Sequence, residues 1–157
     1  MQLLSKVMVA LLLVVMPIRA DTIDISGTGY QFEYDSKVWN MLPKSTEGLW
    51  SFSDHLLYLD GGVVLGSGSS DGVTAEQSAN DMAEVMGDGY GQVKEDKSIS
   101  GLKTFRASRK KDKKEIILCC LVDKHSSLFI FIEGDAVSLT LRKSTVRAFL
   151  SGLSKKK

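Results

Sequence analysis

Two apolar runs, joined by a short polar turn, constrain this chain more than any other feature. Between Glu115 and Asp123 stand Ile116, Ile117, Leu118, Cys119, Cys120, Leu121 and Val122, with no polar break. Lys124, His125, Ser126 and Ser127 offer a turn, and Leu128, Phe129, Ile130, Phe131 and Ile132 return toward Glu133. Neither run alternates apolar with polar residues, so both faces of each must be dry. Each is of strand length and rich in β-branched and aromatic residues. Residues 115–133 are therefore expected to form a buried central hairpin in a sheet covered on both sides.

The rest of the chain supplies the cover. Tyr30, Phe32 and Tyr34 alternate with polar residues and predict a half-buried strand. Residues 38–41 continue the apolar supply, and short strands are expected at 48–52, 55–59 and 63–65, with Asp60-Gly61-Gly62 as a tight hairpin turn. Residues 66–72 read as a Ser/Gly-rich loop. A first helix follows, with Thr74 as N-cap and Gln77 at the capping-box position. Its apolar face is Ala75, Ala79, Met82, Ala83 and Met86, and Gly87 stops it. Weaker strands are expected at 92–99 and 102–109. A second helix is expected over 137–153, with Val146, Phe149, Leu150 and Leu153 buried, Leu139 extending the stripe, and Arg142, Lys143 and Arg147 facing water. Mostly antiparallel strands with two amphipathic helices make an α+β sandwich.

This element order resembles the PsbP-like α/β/α sandwich family, which includes Ran-binding Mog-type proteins and small exported bacterial domains. The resemblance rests on the aromatic strand leading to Trp39, the short strands before the Thr-capped helix, and the four-strand run with its closing helix. It spans most of the chain after residue 20. The chain departs in having Lys37-Val38 where a Pro often precedes the Trp. The resemblance implies a non-catalytic module that binds another macromolecule and carries over no site residue.

Residues 1–20 read as a secretory signal peptide. Lys6 gives a positive start, 7–16 an apolar core, Pro17 a break, and Ala20 a small residue before cleavage at Asp21. The apolar core is too short for a spanning helix, which needs roughly twenty residues. Residues 21–157 then form a single α+β domain, periplasmic or secreted, with no transmembrane helix. The only cysteines, Cys119 and Cys120, are adjacent, so on a strand their thiols point to opposite faces. Two buried free thiols are expected, with a vicinal redox switch as the alternative. An exported chain without a disulfide framework fits a bacterial periplasm.

Charge is divided unevenly along the chain. Residues 21–100 hold 14 acidic and 4 basic side chains, whereas 101–157 hold 5 acidic and 14 basic. Either the two parts occupy different faces and create a dipole, or their strands interleave and the charges average.

Little points to chemistry. His55 and His125 have no Cys or His at ligand spacing, and no calcium-loop pattern is present, so no metal or cofactor is expected. A low-affinity calcium site assembled from the Asp-rich loops (Asp60, Asp71, Asp88 and Asp96) stays open. Gly66–Gly72 misses the dinucleotide fingerprint, and no nucleophile elbow exists. The basic stretch Arg106, Arg109, Lys110, Lys111, Lys113 and Lys114 could hold an anionic partner, or could be a hairpin tip whose charges discourage aggregation. Stacking aromatics are scarce there, so nucleic acid is not an expected partner.

The favoured expectation is a non-enzymatic, exported module that binds a charged protein partner, as an immunity protein against a delivered toxin or as an escort factor. Its candidate contacts are the six basic residues above and the acidic loop tips around Asp54, Asp60 and Asp71. The first alternative is a carrier of a small apolar ligand lined by Tyr30, Phe32, Tyr34, Trp39 and Trp50. An enzyme with a dispersed site is the second. Oligomeric state is not legible.

Overall fold

The computed structural model describes residues 20–43, 48–67, 72–87, 89–99, 102–123 and 126–157. The expected signal peptide core, Asp71, Asp88, His125 and most of the Ser/Gly-rich loop lie outside them.

The central hairpin is where the sequence places it. β8 (Lys114–Val122) and β9 (Ser126–Asp135) pair antiparallel, with Cys119 opposite Ile130 and Cys120 opposite Phe129. They occupy the middle of a seven-stranded antiparallel sheet. Its order is β3 (Trp39–Met41), β4 (Leu49–Asp54), β5 (Leu59–Ser67), β9, β8, β7 (Thr104–Arg109) and β6 (Lys94–Glu95). Both faces are covered. On one, α1 (Ala75–Val85) packs Ala79, Met82 and Ala83 over Ile116, Leu118, Cys120, Phe129 and Phe131. On the other, α2 (Ala136–Leu141) and α3 (Lys143–Leu150) bring Leu139, Val146, Phe149 and Leu150 over Ile117, Cys119, Ile130 and Ile132. The two cysteines thus belong to opposite cores, each 2% exposed. This is an α+β sandwich with dry hairpin faces, as the unbroken apolar runs require. Among the described residues, no helix is long and apolar enough to cross a membrane.

Local signals explain α1. Thr74 Oγ1 accepts from the Gln77 N–H at 3.1 Å, and Gln77 Oε1 accepts from the Thr74 N–H at 2.8 Å, closing the expected capping box.

Four readings need correction. First, Asp60, Gly61 and Gly62 lie inside β5, and the turn is at residues 55–58. The glycines are there for close packing. A Cβ on Gly62 would lie 2.5 Å from the Phe131 ring, and one on Gly61 would lie 3.1 Å from Phe149. Second, the expected strand over 92–99 shrinks to Lys94–Glu95. Third, the second helix breaks at Arg142, whose φ of −105° and ψ of 26° leave the helical region. Arg142 does not face water, because its guanidinium pairs with Asp54. Fourth, that helix ends at Leu150, and Leu153 enters a strand instead.

That strand, β10 (Leu153–Lys155), joins β1 (Ala20–Ile25) and β2 (Tyr30–Asp35) in a second, three-stranded sheet of order β1-β2-β10. Gly152 permits the turn into it. The Glu33 N–H donates to the Gly152 carbonyl at 2.8 Å. A Cβ on residue 152 would sit 1.9 Å from the Glu33 oxygen. The small sheet adds Ile25, Phe32 and Tyr34 to the α2/α3 core.

The charge asymmetry is partly spent within the fold. β5, from the acidic part, pairs with β9, from the basic part. Asp96, Asp54 and Asp24 of the first part pair with Arg106, Arg142 and Lys156 of the second.

Candidate binding surface

The turn between β7 and β8 carries the basic candidates, and it sorts them into two groups. Arg109 is locked by a fork of hydrogen bonds to Asp112, Nε to Oδ1 at 2.9 Å and Nη2 to Oδ2 at 2.8 Å. It also reaches Glu133 at 3.2 Å and lies over the Tyr90 ring, 4.8 Å from its centroid. Lys114 pairs with the same Glu133 carboxylate at 2.9 Å. Arg106 sits between Asp96, at 3.1 Å, and Glu115. These three cations are committed to their own chain.

Lys110, Lys111 and Lys113 are exposed at the tip. The tip is a shaped turn. Lys113 takes a φ of +58°, unusual without glycine, and the Asp112 carboxylate braces the approach to β8 through Arg109. Hydrogen bonding to Arg109 holds Asp112 below the usual carboxylate range. Bonding to Glu133 lifts Lys114 above the usual lysine value. Burial, and then the neighbouring Glu133 charge, push the Tyr90 phenol upward. A shallow trough of about 440 Å³ runs beside the tip, lined by Gly89, Gly91, Ser108, Lys110 and Lys111.

The acidic candidates separate as well. Asp54 is not an exposed loop tip. It is fully buried, paired with Arg142, and accepts the Tyr58 N–H at 2.8 Å. Its polarity closes the turn at 55–58, so it is structural. Asp60 is exposed and stands opposite Glu133 across the β5–β9 ladder, which places it near the Arg109 and Lys114 cluster. Asp71 lies outside the described residues.

The aromatic residues expected to line a pocket mostly form core. Phe32 is fully buried, and its ring lies 5.0 Å from Phe149, edge on. Trp50 packs half-buried at the edge of the same core. Tyr30 stands over a cavity of about 60 Å³ near Leu121 and Leu128. Tyr34 and Trp39, however, line an open cleft of about 470 Å³ between the end of β2 and α3. Glu33 and Asp35 form one wall, and Ser144, Thr145, Ala148 and Ser151 form the other. Sequence reasoning missed the α3 wall. Its small residues carry no chemical signature and stand more than a hundred positions from β2.

Other chemistry gains no support among the described residues. No cluster of three or more His, Cys, Asp or Glu side chains could hold a metal ion. His55 is exposed, with Nε2 3.3 Å from the Ser36 carbonyl oxygen. Burial pushes the Cys119 thiol up to about 11, and Cys120 higher still. Neither thiol is poised as a nucleophile.

No family model and no curated sequence matches this chain. Solved structures do. The solution structure of cyanobacterial PsbP (CyanoP) from Synechocystis superposes with a TM-score of 0.60 at 12% identity, covering 91% of this chain and 96% of that one. The Ran-binding protein Mog1p of Saccharomyces cerevisiae gives 0.54 at 10% identity, covering 88% and 96%. A Bacteroides thetaiotaomicron protein gives 0.50 at 13%, covering 87% of this chain but 48% of its own. With the seven-stranded sheet, its flanking helices and this coverage taken together, the chain has a PsbP/Mog1-like fold.

Proposed function

We propose that this protein is a non-catalytic module, exported to the periplasm or beyond, that binds another protein through an acidic surface on that partner. The observation that carries the reading is the β7–β8 tip. It presents Lys110, Lys111 and Lys113 on a turn whose other cations are neutralised and therefore rigidly placed. Such a cluster speeds encounter with an acidic surface and sets its orientation. An immunity protein that neutralises a delivered toxin, or an escort factor, would use a surface of this kind. The fold is one in which Mog1p binds Ran, an analogy of fold only. Export rests on the pattern of residues 1–20 and is tested by N-terminal sequencing of the exported protein, with Asp21 expected first.

The binding test is capture from native extract by the wild-type protein and by a variant carrying Lys110→Glu, Lys111→Glu and Lys113→Glu. The wild type should retain a partner that the variant loses, with a capture that weakens as salt rises. Equal capture by both would remove the tip from the reading, and no capture under any condition would remove the reading itself.

A second reading, a carrier of a small apolar ligand, is favoured by the cleft between β2 and α3. Native mass spectrometry of the protein purified from its host tests it, a bound small molecule supporting the reading and a bare mass opposing it.

A further inference from the structure

Two turns project past the same end of the large sheet. Leu59, Gly134, Glu115 and Ser108 stand in one row across β5, β9, β8 and β7, and both the β4–β5 turn at 55–58 and the β7–β8 turn lie just beyond that row. Neighbouring strands are about 4.8 Å apart, which sets the two tips about 10–15 Å from each other. Each tip holds a non-glycine residue in the left-handed region, Leu57 in one and Lys113 in the other, both with a φ of +58°. Each is braced by an aspartate. Asp54 accepts the Leu57 N–H on its backbone carbonyl at 2.9 Å and the Tyr58 N–H on its carboxylate at 2.8 Å. Asp112 holds Arg109 at the root of the other tip.

The tips differ in what they show. One presents Lys110, Lys111 and Lys113. The other exposes three apolar side chains in succession, Leu56, Leu57 and Tyr58, at 63%, 78% and 60%. The buried Asp54–Arg142 pair fixes that turn from beneath. Apolar side chains held outward in this way contribute nothing to the core and lose little freedom when a partner covers them. A lipid surface also takes leucines and lysines together. Here, however, Asp135 ends β9 between the two tips, Asp60 is exposed on β5, and Asp112 is exposed within the basic tip. A flat anionic bilayer would press its phosphates against these carboxylates, whereas a protein surface can be shaped and charged around them.

We propose that the two tips act together on one protein partner. Its surface would carry an acidic patch facing Lys110, Lys111 and Lys113 and, about 10–15 Å away, an apolar pocket for Leu56, Leu57 and Tyr58. The proposal rests on the reading of the basic tip as a protein-binding surface and adds the second contact.

The test is photo-crosslinking in native extract. Purified protein carries p-benzoylphenylalanine at position 56, at position 111 or, as a control, at position 97, which is exposed at the far end of β7. Positions 56 and 111 should cross-link to the same protein, through an apolar peptide and an acidic peptide respectively, and position 97 should not. With that protein purified, Lys110→Glu, Lys111→Glu and Lys113→Glu together should slow association about tenfold, an effect that fades as salt rises. Leu56→Ser with Leu57→Asn should instead hasten dissociation about tenfold at any salt. Both leucines are exposed and Asn accepts the left-handed conformation, so the melting temperature should hold. Vesicles of phosphatidylglycerol and phosphatidylethanolamine should not sediment the protein. Cross-links from position 111 alone, different proteins at the two positions, equal cross-linking from position 97, or an unaltered dissociation rate in the leucine variant would overturn the two-tip proposal and leave the basic-tip reading standing. Sedimentation with vesicles that the leucine variant abolishes would assign the apolar tip to lipid and overturn it too. No cross-link from either tip would count against both.

Discussion

The Arg142 guanidinium reaches from the break between α2 and α3 to the carboxylate of Asp54, a group with no exposed surface. That carboxylate also accepts the Tyr58 N–H, so one side chain fastens the helix break to the turn before β5. Removing the cation leaves a buried charge unpaired, a change that costs about 3–5 kcal/mol. Arg142 is itself 22% exposed, which places the expectation at the lower end. Arg142→Met should therefore lower the unfolding free energy in urea by about 3 kcal/mol. Asp54→Asn should cost less, because the amide oxygen can still accept from Tyr58. A loss below about 1 kcal/mol for Arg142→Met would mean that the pair is not a fastening.

Glycines at close approaches should grade by what their missing Cβ would strike. At Gly62 the obstacle is the tip of the Phe131 ring, which can swing, so Gly62→Ala should cost about 1–3 kcal/mol. Pairing it with Phe131→Leu should recover part of the loss. At Gly152 the obstacle is the Glu33 backbone oxygen, which cannot move without breaking the β2–β10 ladder. Gly152→Ala should be the more damaging change, with β10 released from β2. Chemical denaturation of the three variants checks the order, and an equal cost at both glycines would contradict it.

The cysteines should be inert in the folded protein. Burial raises both thiols, Cys119 to about 11 and Cys120 higher, the latter also through its neighbour's charge. The thiolate is the reactive form, so little is present near neutrality. Iodoacetamide at mildly alkaline pH should leave both unmodified by mass spectrometry, and addition of urea should allow two modifications. Ready labelling of either thiol without denaturant would contradict the burial described above.

Acid should weaken the fold. Hydrogen bonds from Arg109 hold Asp112 below the usual carboxylate value, and hydrogen bonds from Ser138 do the same for Asp135 at the start of α2. A carboxylate whose folded pKa lies below its unfolded one contributes its full stability above the unfolded value, about 4, and loses it as pH falls through the folded value. Both groups are exposed to water, so the effect should be shallow. The urea midpoint should decline from about pH 5 to about pH 3, and Asp112→Asn should flatten part of that decline. A midpoint that rises over this range would reverse the sign argued here.

What could be read in advance follows the range over which each signal acts. The hairpin at 115–133 is self-reporting, because seven apolar residues in succession can be dry on both faces only in the middle of a covered sheet. The Thr74–Gln77 box is local chemistry and formed as read. The second sheet left no such mark. Leu153-Ser154-Lys155 is too short to show a period, and its partner strand lies near the other end of the chain. Asp60-Gly61-Gly62 carries the letters of a turn, yet the glycines answer to Phe149 and Phe131, which come from distant segments. Asp54 and Arg142 are 88 positions apart, so neither could be known as the other's partner. The cleft at β2 and α3 was half visible for the same reason. Its aromatic residues stood out, and its β2 and α3 walls meet only in space.

Cys119 and Cys120 are one peptide step apart and belong to different oily layers. They are therefore a pair of built-in gauges. Under mild denaturant, the order in which the two sulfurs become reactive reads which layer parts first, and simultaneous exposure means that the sandwich opens as one body. Both readings lie on a single tryptic fragment, residues 115–124, with no residue added or changed.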